Sequence, residues 1–340
     1  MVPGGASSDN PHEVPRIVSS LPIPGRAEEW LRQRGDLEIL GAILPPARYQ
    51  EAVHGASALL PWAGDRVDEP ALEAAGPSLR VVSTYGVGLD HVDVQACTRR
   101  GVFVGHTPNV VTDATADLAM ALLLATARRV VEADREVREG RFSGWKPDYL
   151  LGQEVTGATL GVIGFGRIGQ AVAQRAAAGF AMRIVAHDPS GVRGIPGLGV
   201  EECGLERLLS EADFVTCHVP LTVETHHLIG AAQLAAMRRT AILINTSRGP
   251  VVDETALVDA LQRGVIAGAG LDVFEDEPRL APGLTACPNV VLAPHVGTAT
   301  WKTRIAMGEL AARNILEVLD GRPPIAWANP EVAGRARPAP

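Results

Sequence analysis

Three side chains of different chemistry stand at the ends of three apolar runs in the last third of the chain. AILIN leads into Thr246-Ser247-Arg248-Gly249, GAGLDVF into Glu275-Asp276-Glu277-Pro278, and NVVLAP into His295. A guanidinium presents a planar fork that matches a carboxylate and its neighbouring carbonyl. An imidazole exchanges a proton near neutral pH, and a carboxylate beside it orients the ring and favours its charged form. Arg248, Glu277 and His295 together suit one task, the reduction of a 2-oxo acid: the carboxylate is held, the carbonyl polarised, a hydride accepted at carbon and a proton delivered at oxygen. A general acid contributes about 10²–10⁴-fold to such a step. Taken singly, each residue has an ordinary reading as a helix-capping Arg, a surface Glu or a core His. Their coincidence at neighbouring strand ends, where open α/β sheets bind ligands, favours chemistry. The run VVLAPH reads as a buried strand that stops at about Pro294, since proline cannot donate to a sheet ladder.

A hydride needs a carrier, and the sequence offers a place for one. Gly164-Phe165-Gly166-Arg167-Ile168-Gly169 follows the strand candidate TLGVI and opens a helix candidate. That context turns a weak glycine pattern into a dinucleotide fingerprint. Gly164 permits a tight turn, Gly166 lets the backbone approach a pyrophosphate, and Gly169 allows the helix to pack closely on the strand. The helix N-terminus then offers unpaired N–H groups to phosphate. The next strand candidate, RIVAH, runs into Asp188, about 20 residues beyond Gly169, where an acid accepts from ribose hydroxyls. Asp188 would repel a 2′-phosphate, so NAD(H) is favoured over NADP(H) as cofactor.

These groups need a frame. In the first third, RIVSSLP, LEILGAILP, ALLPWA, RVVSTYG and VFVGHTP alternate with polar or helical stretches, which predicts βα units and a parallel sheet. A single long helix is expected from Asp113 to about Gly140, with Thr112 and Asp113 as cap residues. FSGWKPDYLLGQEV, broken by Gly and Pro, is expected to be a loop. From Ala158 onward strands and helices alternate as in a doubly wound unit of the size a dinucleotide needs. A last helix runs from Thr303 to Leu319, before Gly321 and Pro323-Pro324.

The bulk composition narrows the classes. The 340 residues suffice for two domains, and a net charge of −8 without a lysine/arginine cluster gives nucleic acid no footing. The longest apolar runs are too short to cross a bilayer. The four cysteines are widely spaced and form no CxxC pair, as expected of free thiols in the cytoplasm. The histidines include the adjacent pair His226-His227 but no HExxH, and no metal is expected. The N-terminus carries no secretory pattern. Residues 1–14 and 333–340 read as flexible tails.

STYGVGLDHVD (83–93), TPNVVTDATADLA (107–119), GVIGFGRIG (161–169), INTSRGPVVDE (244–254), GLDVFEDEP (270–278) and APHVGTAT (293–300) together resemble the D-isomer-specific 2-hydroxyacid dehydrogenases, within them the glyoxylate/hydroxypyruvate reductase group. The resemblance spans nearly the whole chain. It implies a catalytic triad at Arg248, Glu277 and His295, the residues the strand ends had already singled out. It implies a Rossmann domain, 109–300, and a discontinuous flavodoxin-like substrate domain, 15–108 and 301–332, completed by the C-terminal helix. Backbone N–H groups near Val87 and Gly88 are then expected to bind the substrate carboxylate. Thr112, the Arg167-Ile168 peptide and Pro220 are expected along the cofactor, Thr246 and Asp272 near its nicotinamide ribose and amide, and Gly297 as room beside the ring of His295. A homodimer is implied, with the 113–140 helix and the following loop as its contact. Trp145 then either reaches a second subunit's pocket or plugs the interface.

The chain departs from some relatives of that family. Phosphoglycerate dehydrogenases carry an arginine near the carboxylate loop, which here reads STYGVG, and many have an extra regulatory domain, which is not expected here. The chain has Val87 where phosphite dehydrogenases place lysine, and Glu277 where formate dehydrogenases use glutamine. Trp62, after the third strand, either narrows the pocket or simply packs. A dehydrogenase for a larger 2-hydroxy acid would carry the same motifs. So would a non-catalytic NAD-sensing corepressor on this fold, and a turnover assay separates the two classes.

Overall fold

The apolar runs of the first third are buried on both faces, as parallel strands between helical layers are, except for the edge run Asp36–Ile39, which alternates buried and exposed residues. In the computed structural model, which describes residues 14–334, they are β1 (Arg16–Ser19), β2 (Asp36–Ile39), β3 (Ala58–Leu60), β4 (Val81–Ser83) and β5 (Phe103–Gly105). The expected tails therefore lie almost wholly outside the described residues. The five strands are all parallel, in the order β2-β1-β3-β4-β5, the flavodoxin-like arrangement. They belong to a compact unit that ends at Val111 and resumes at Thr300.

The returning segment is tied in by buried amides. The helix Trp301–Leu319 packs on β3, β4, β5 and the helix Ala27–Arg34. Its fully buried Asn314 donates to Ser83 Oγ and the His106 carbonyl, and accepts from the Ala326 amide. Asn329, equally buried, accepts from the Val104 amide and donates to Thr98 Oγ1 and the Val102 carbonyl. Each side-chain amide thus has its donors and acceptor met, the condition for burying it without loss.

The second unit is Thr112–Ala299. Its sheet comprises β6 (Thr159–Ile163), β7 (Arg183–His187), β8 (Val200–Glu202), β9 (Phe214–Cys217), β10 (Ile242–Asn245), β11 (Gly268–Leu271) and β12 (Val290–Leu292). All pairings are parallel, in the order β8-β7-β6-β9-β10-β11-β12. The order reverses beside β6, which creates the crevice at the carboxyl ends of β6 and β9.

Three expectations are corrected. The single helix 113–140 is two helices, Thr112–Ala127 and Val130–Arg138, broken where Arg129 turns left-handed (φ 53°) and its guanidinium forks onto Glu132. The first buries residues on most of its faces, whereas the second buries none, so one helical pattern cannot serve both. β8 was not expected: it is a three-residue polar edge strand, VEE, without the apolar signal that marks the others. β12 is half-buried rather than buried, because it is the other edge of the sheet.

Candidate active site

The three strand ends that carry Arg248, Glu277 and His295 belong to β10, β11 and β12, which lie side by side. His295 Nδ1 and Glu277 Oε2 are 2.8 Å apart. Glu277 Oε1 accepts the amide of Phe274 at 3.0 Å. Burial alone would raise the Glu277 carboxyl. The hydrogen bond and charge of His295, the Phe274 amide and the charge of Arg248 outweigh it and hold the group below the usual carboxylate range. An ionised Glu277 can only accept, so Nδ1 carries the hydrogen and Nε2 is the nitrogen left for proton exchange. Arg248 leaves β10 in an extended conformation, with Nη1 donating to the Ser247 carbonyl. Beside the Glu277–His295 pair lies a mostly apolar cavity of about 300 Å³, walled by Phe274, Pro278, Leu292 and Pro294.

The ring of His295 is aimed by its own backbone. Its φ is 53°, a left-handed conformation that costs a non-glycine residue and persists only where neighbours impose it. Here Asp272 does so. Its carbonyl accepts the His295 amide, and its two carboxylate oxygens accept the amides of Val296 and Gly297, all at 2.7–2.8 Å. The carboxylate is buried, which pushes its pKa up despite those two bonds. A Cβ on Gly297 would stand 3.0 Å from Asp272 Oδ2, so the lack of a side chain there is used by this brace. Asn245, the last residue of β10, accepts from Ser247 and donates to the Arg248 carbonyl. It was missed at the sequence level. The available signal was a polar residue closing the apolar run ILIN, two positions before Ser247.

Two glycines of the turn are required by packing, and the third faces open space. Gly164 has φ 87°, and a Cβ there would meet the His218 carbonyl. A Cβ on Gly169 would strike the Gly164 carbonyl oxygen at 2.2 Å. Gly166, the exposed cap of the helix Arg167–Phe180, has no protein atom within 4 Å of that position. Space kept open at a helix N-terminus is what a pyrophosphate needs. Arg167 is exposed and Ile168 half-buried at that helix start. Asp188 follows β7, where its carboxylate accepts the amides of Phe165 and Ser190, fixing it against the turn. Thr246 Oγ1 is buried without a protein partner, a second polar group that suits a bound cofactor. Thr112 opens the first helix of this unit, and Pro220 is exposed after β9.

The remaining expected residues lie elsewhere. Val87 and Gly88 belong to the first unit, half-buried in the turn after β4, and Val87 offers its carbonyl to His106 Nδ1 at 3.4 Å. Trp62, in the same unit, stacks on Tyr85 with ring centroids 4.0 Å apart. Trp145 lies in the expected loop and is 84% exposed.

A doubly wound sheet with an open glycine turn at its first strand, and Arg, Glu and His at three adjacent strand ends, defines the dinucleotide-binding unit of an oxidoreductase. The sequence profile of the D-isomer specific 2-hydroxyacid dehydrogenase NAD binding domain matches residues 120–297. A glyoxylate reductase from Korarchaeum cryptofilum is 48% identical, over 95% of this chain and 98% of that protein. A crystal structure of a Thermus thermophilus protein is 48% identical with a TM-score of 0.86, over 92% of this chain and 99% of that one. The NADPH-dependent glyoxylate/hydroxypyruvate reductase of Sinorhizobium meliloti, solved with NADP and malonate, is 35% identical with a TM-score of 0.84, over 94% and 98%. The chain belongs to the D-isomer-specific 2-hydroxyacid dehydrogenase family, and is an oxidoreductase of that family.

Proposed function

We propose that this enzyme reduces a small 2-oxo acid of the glyoxylate or hydroxypyruvate kind to the D-2-hydroxy acid, with His295 as proton donor. The observation that carries the reading is the 2.8 Å pair of His295 and ionised Glu277 at a strand end next to Arg248. Reduced nicotinamide, when bound, supplies the hydride. Arg248 holds the substrate carboxylate and polarises its carbonyl through a bidentate, charge-assisted fork. The proton on His295 Nε2 passes to the carbonyl oxygen as the hydride reaches carbon, and solvent restores it. Glu277 orients the ring through its 2.8 Å contact with Nδ1, while Asp272 holds the backbone that aims it. The amides near Val87 and Gly88 are proposed, by themselves, as donors for a carboxylate. The curated glyoxylate reductase relative supports the substrate class.

Gly164, Gly166, Gly169, Arg167, Ile168, Thr112, Pro220 and Thr246 are proposed as the cofactor's contacts, with Asp188 on its ribose hydroxyls. Asp272 and Gly297, engaged with each other, contribute through backbone near the ring. Asp188 supports NADH over NADPH, although the Sinorhizobium reductase uses NADPH. A homodimer is supported by apolar surface on the second unit: Val130, Val131 and Val137 of a helix that buries no residue, followed by exposed Phe142 and Trp145. Light scattering on the purified chain tests it. The four thiols are unpaired, which supports a cytoplasmic location, and no helix among the described residues is long and apolar enough to cross a membrane.

The decisive assay follows NADH and NADPH oxidation with glyoxylate, hydroxypyruvate and larger 2-oxo acids. Turnover of the small acids with NADH is expected. Absence of turnover with every acid would return the chain to a binding role. Asp188→Ala is expected to lower the NADH/NADPH preference by about tenfold, the worth of a charge-assisted hydrogen bond. An unchanged ratio would remove Asp188 from cofactor selection.

A further inference from the structure

A second histidine cluster stands outside the catalytic residues. His226 and His227 occupy the connection after β9, and Glu275 lies 48 residues beyond His227 on the loop after β11. Neighbouring residues in a helix or strand point apart, but His227 is left-handed (φ 50°), and its ring stacks on that of His226 with centroids 4.1 Å apart. His227 Nε2 is 2.6 Å from Glu275 Oε1. One ligand atom from each of the three side chains lies within 4.8 Å of the others. Two imidazoles and a carboxylate are the donor set of an open zinc site.

The surroundings hold these donors in place. The buried carboxylate of Glu254 accepts the Glu275 amide at 2.6 Å and the Ala281 amide at 3.0 Å, anchoring the loop behind the ligand. The Glu254 amide donates to Glu275 Oε2, which orients the carboxylate and leaves Oε1 toward His227. The His227 amide donates to the Pro250 carbonyl at 2.7 Å, fixing the backbone of the central ligand. Such outer partners preorganise a metal site. Bonds of about 2.0–2.2 Å place tetrahedral donors about 3.3–3.6 Å apart, so binding one ion requires His226 to move in and the Glu275–His227 pair to open slightly. His226 is exposed, leaving room for water as a fourth ligand. Nitrogen donors exclude magnesium and calcium in favour of zinc and its neighbours.

We infer that His226, His227 and Glu275 form a binding site for one divalent transition-metal ion, with Zn²⁺ the favoured occupant. The ion joins the connection after β9 to the loop after β11. The first is bonded to Pro250, two residues from Arg248, and the second carries Glu277. Occupancy therefore stiffens the supports of two catalytic residues without touching either.

The test uses the untagged full chain, stripped with a chelator and titrated with Zn²⁺ alone. Equilibrium dialysis is expected to show one Zn²⁺ per chain at micromolar concentration, and thermal unfolding a midpoint raised by several degrees. Co²⁺ in place of Zn²⁺ should give visible absorption bands of low coordination number. His226→Asn, His227→Asn and Glu275→Gln should each weaken binding by at least about tenfold. The exposed His226→Asn keeps the metal-free unfolding midpoint, which separates ligand loss from misfolding. No stoichiometric binding by the parent chain, or affinity unchanged in any of the three variants, overturns the site.

Discussion

Two histidine–carboxylate pairs lie in one unit, and their acids are two residues apart on one loop. His295 pairs with Glu277 at 2.8 Å and His227 with Glu275 at 2.6 Å. Both histidines are left-handed, at φ 53° and 50°. Exposure does not tell them apart: 39% and 35% for the first pair, 36% and 32% for the second. What differs is which nitrogen is engaged and what stands around it. His295 gives Nδ1 to its acid and keeps Nε2 for a proton, on a backbone held by Asp272 and with the charge of Arg248 bearing on Glu277. His227 gives Nε2 to its acid and lies under a second imidazole, with Glu254 behind Glu275. A histidine–acid contact is thus not itself a function. On the two proposed readings the third partner sets the pairs apart: a guanidinium suits an anionic substrate, another imidazole a cation.

The largest expected effect separates the pairs at once. His295→Ala should lower kcat/KM for 2-oxo acid reduction by about 10²–10⁴-fold while NADH affinity, read by fluorescence titration, stays within about twofold. Retained turnover would remove the ring from proton transfer. Glu277→Gln is expected to cost about 10²-fold, less because the ring itself remains. A loss confined to KM would instead make Glu277 a substrate contact. The matching change in the other pair, Glu275→Gln, should leave kcat/KM of the metal-free enzyme within about twofold, and a loss like that of Glu277→Gln would collapse the distinction.

His218 sharpens the comparison as a ring without any acid. It follows β9, with Thr216 Oγ1 2.9 Å from its Nε2, and burial pulls its pKa down to about 3. Below pH 6.5 the unfolded chain binds a proton that the folded one refuses until about pH 3. Stability is therefore lost as pH falls through that window, by up to about 1.4 kcal/mol per pH unit. His218→Gln should flatten this part of the acid-unfolding curve, measured by denaturant titration at a series of pH values. An unchanged slope would mean that His218 charges freely in the folded state.

Much of this molecule is legible in its sequence because the signals are local. The apolar runs, Pro and Gly breaks and the strand–turn–helix context of Gly164–Gly169 each depend on a few neighbouring residues. So does the appearance of Arg248, Glu277 and His295 at strand ends, since a parallel α/β chain brings every strand's carboxyl end to the same edge. The polar edge strand β8 and the break at Arg129 were not legible, because an edge needs little apolar character and the break follows the change from a buried helix to an exposed one.

The sequence by itself determined the alternation of strands and helices apart from β8 and the break at Arg129, the glycines of the turn and the types of the proposed catalytic side chains. It assigned Glu277 to His295, but it gave no sign that Glu275, two residues earlier, would meet His227. That second pairing depends on the sides from which segments 18 and 48 residues away approach the loop. Nor could it reveal that Asp272 turns the His295 backbone, that Asn314 and Asn329 clasp the returning segment, or that His226, His227 and Glu275 converge. Only tertiary structure decided these, because a hydrogen bond or a shared cation depends on distances of a few ångströms between segments that the sequence holds far apart.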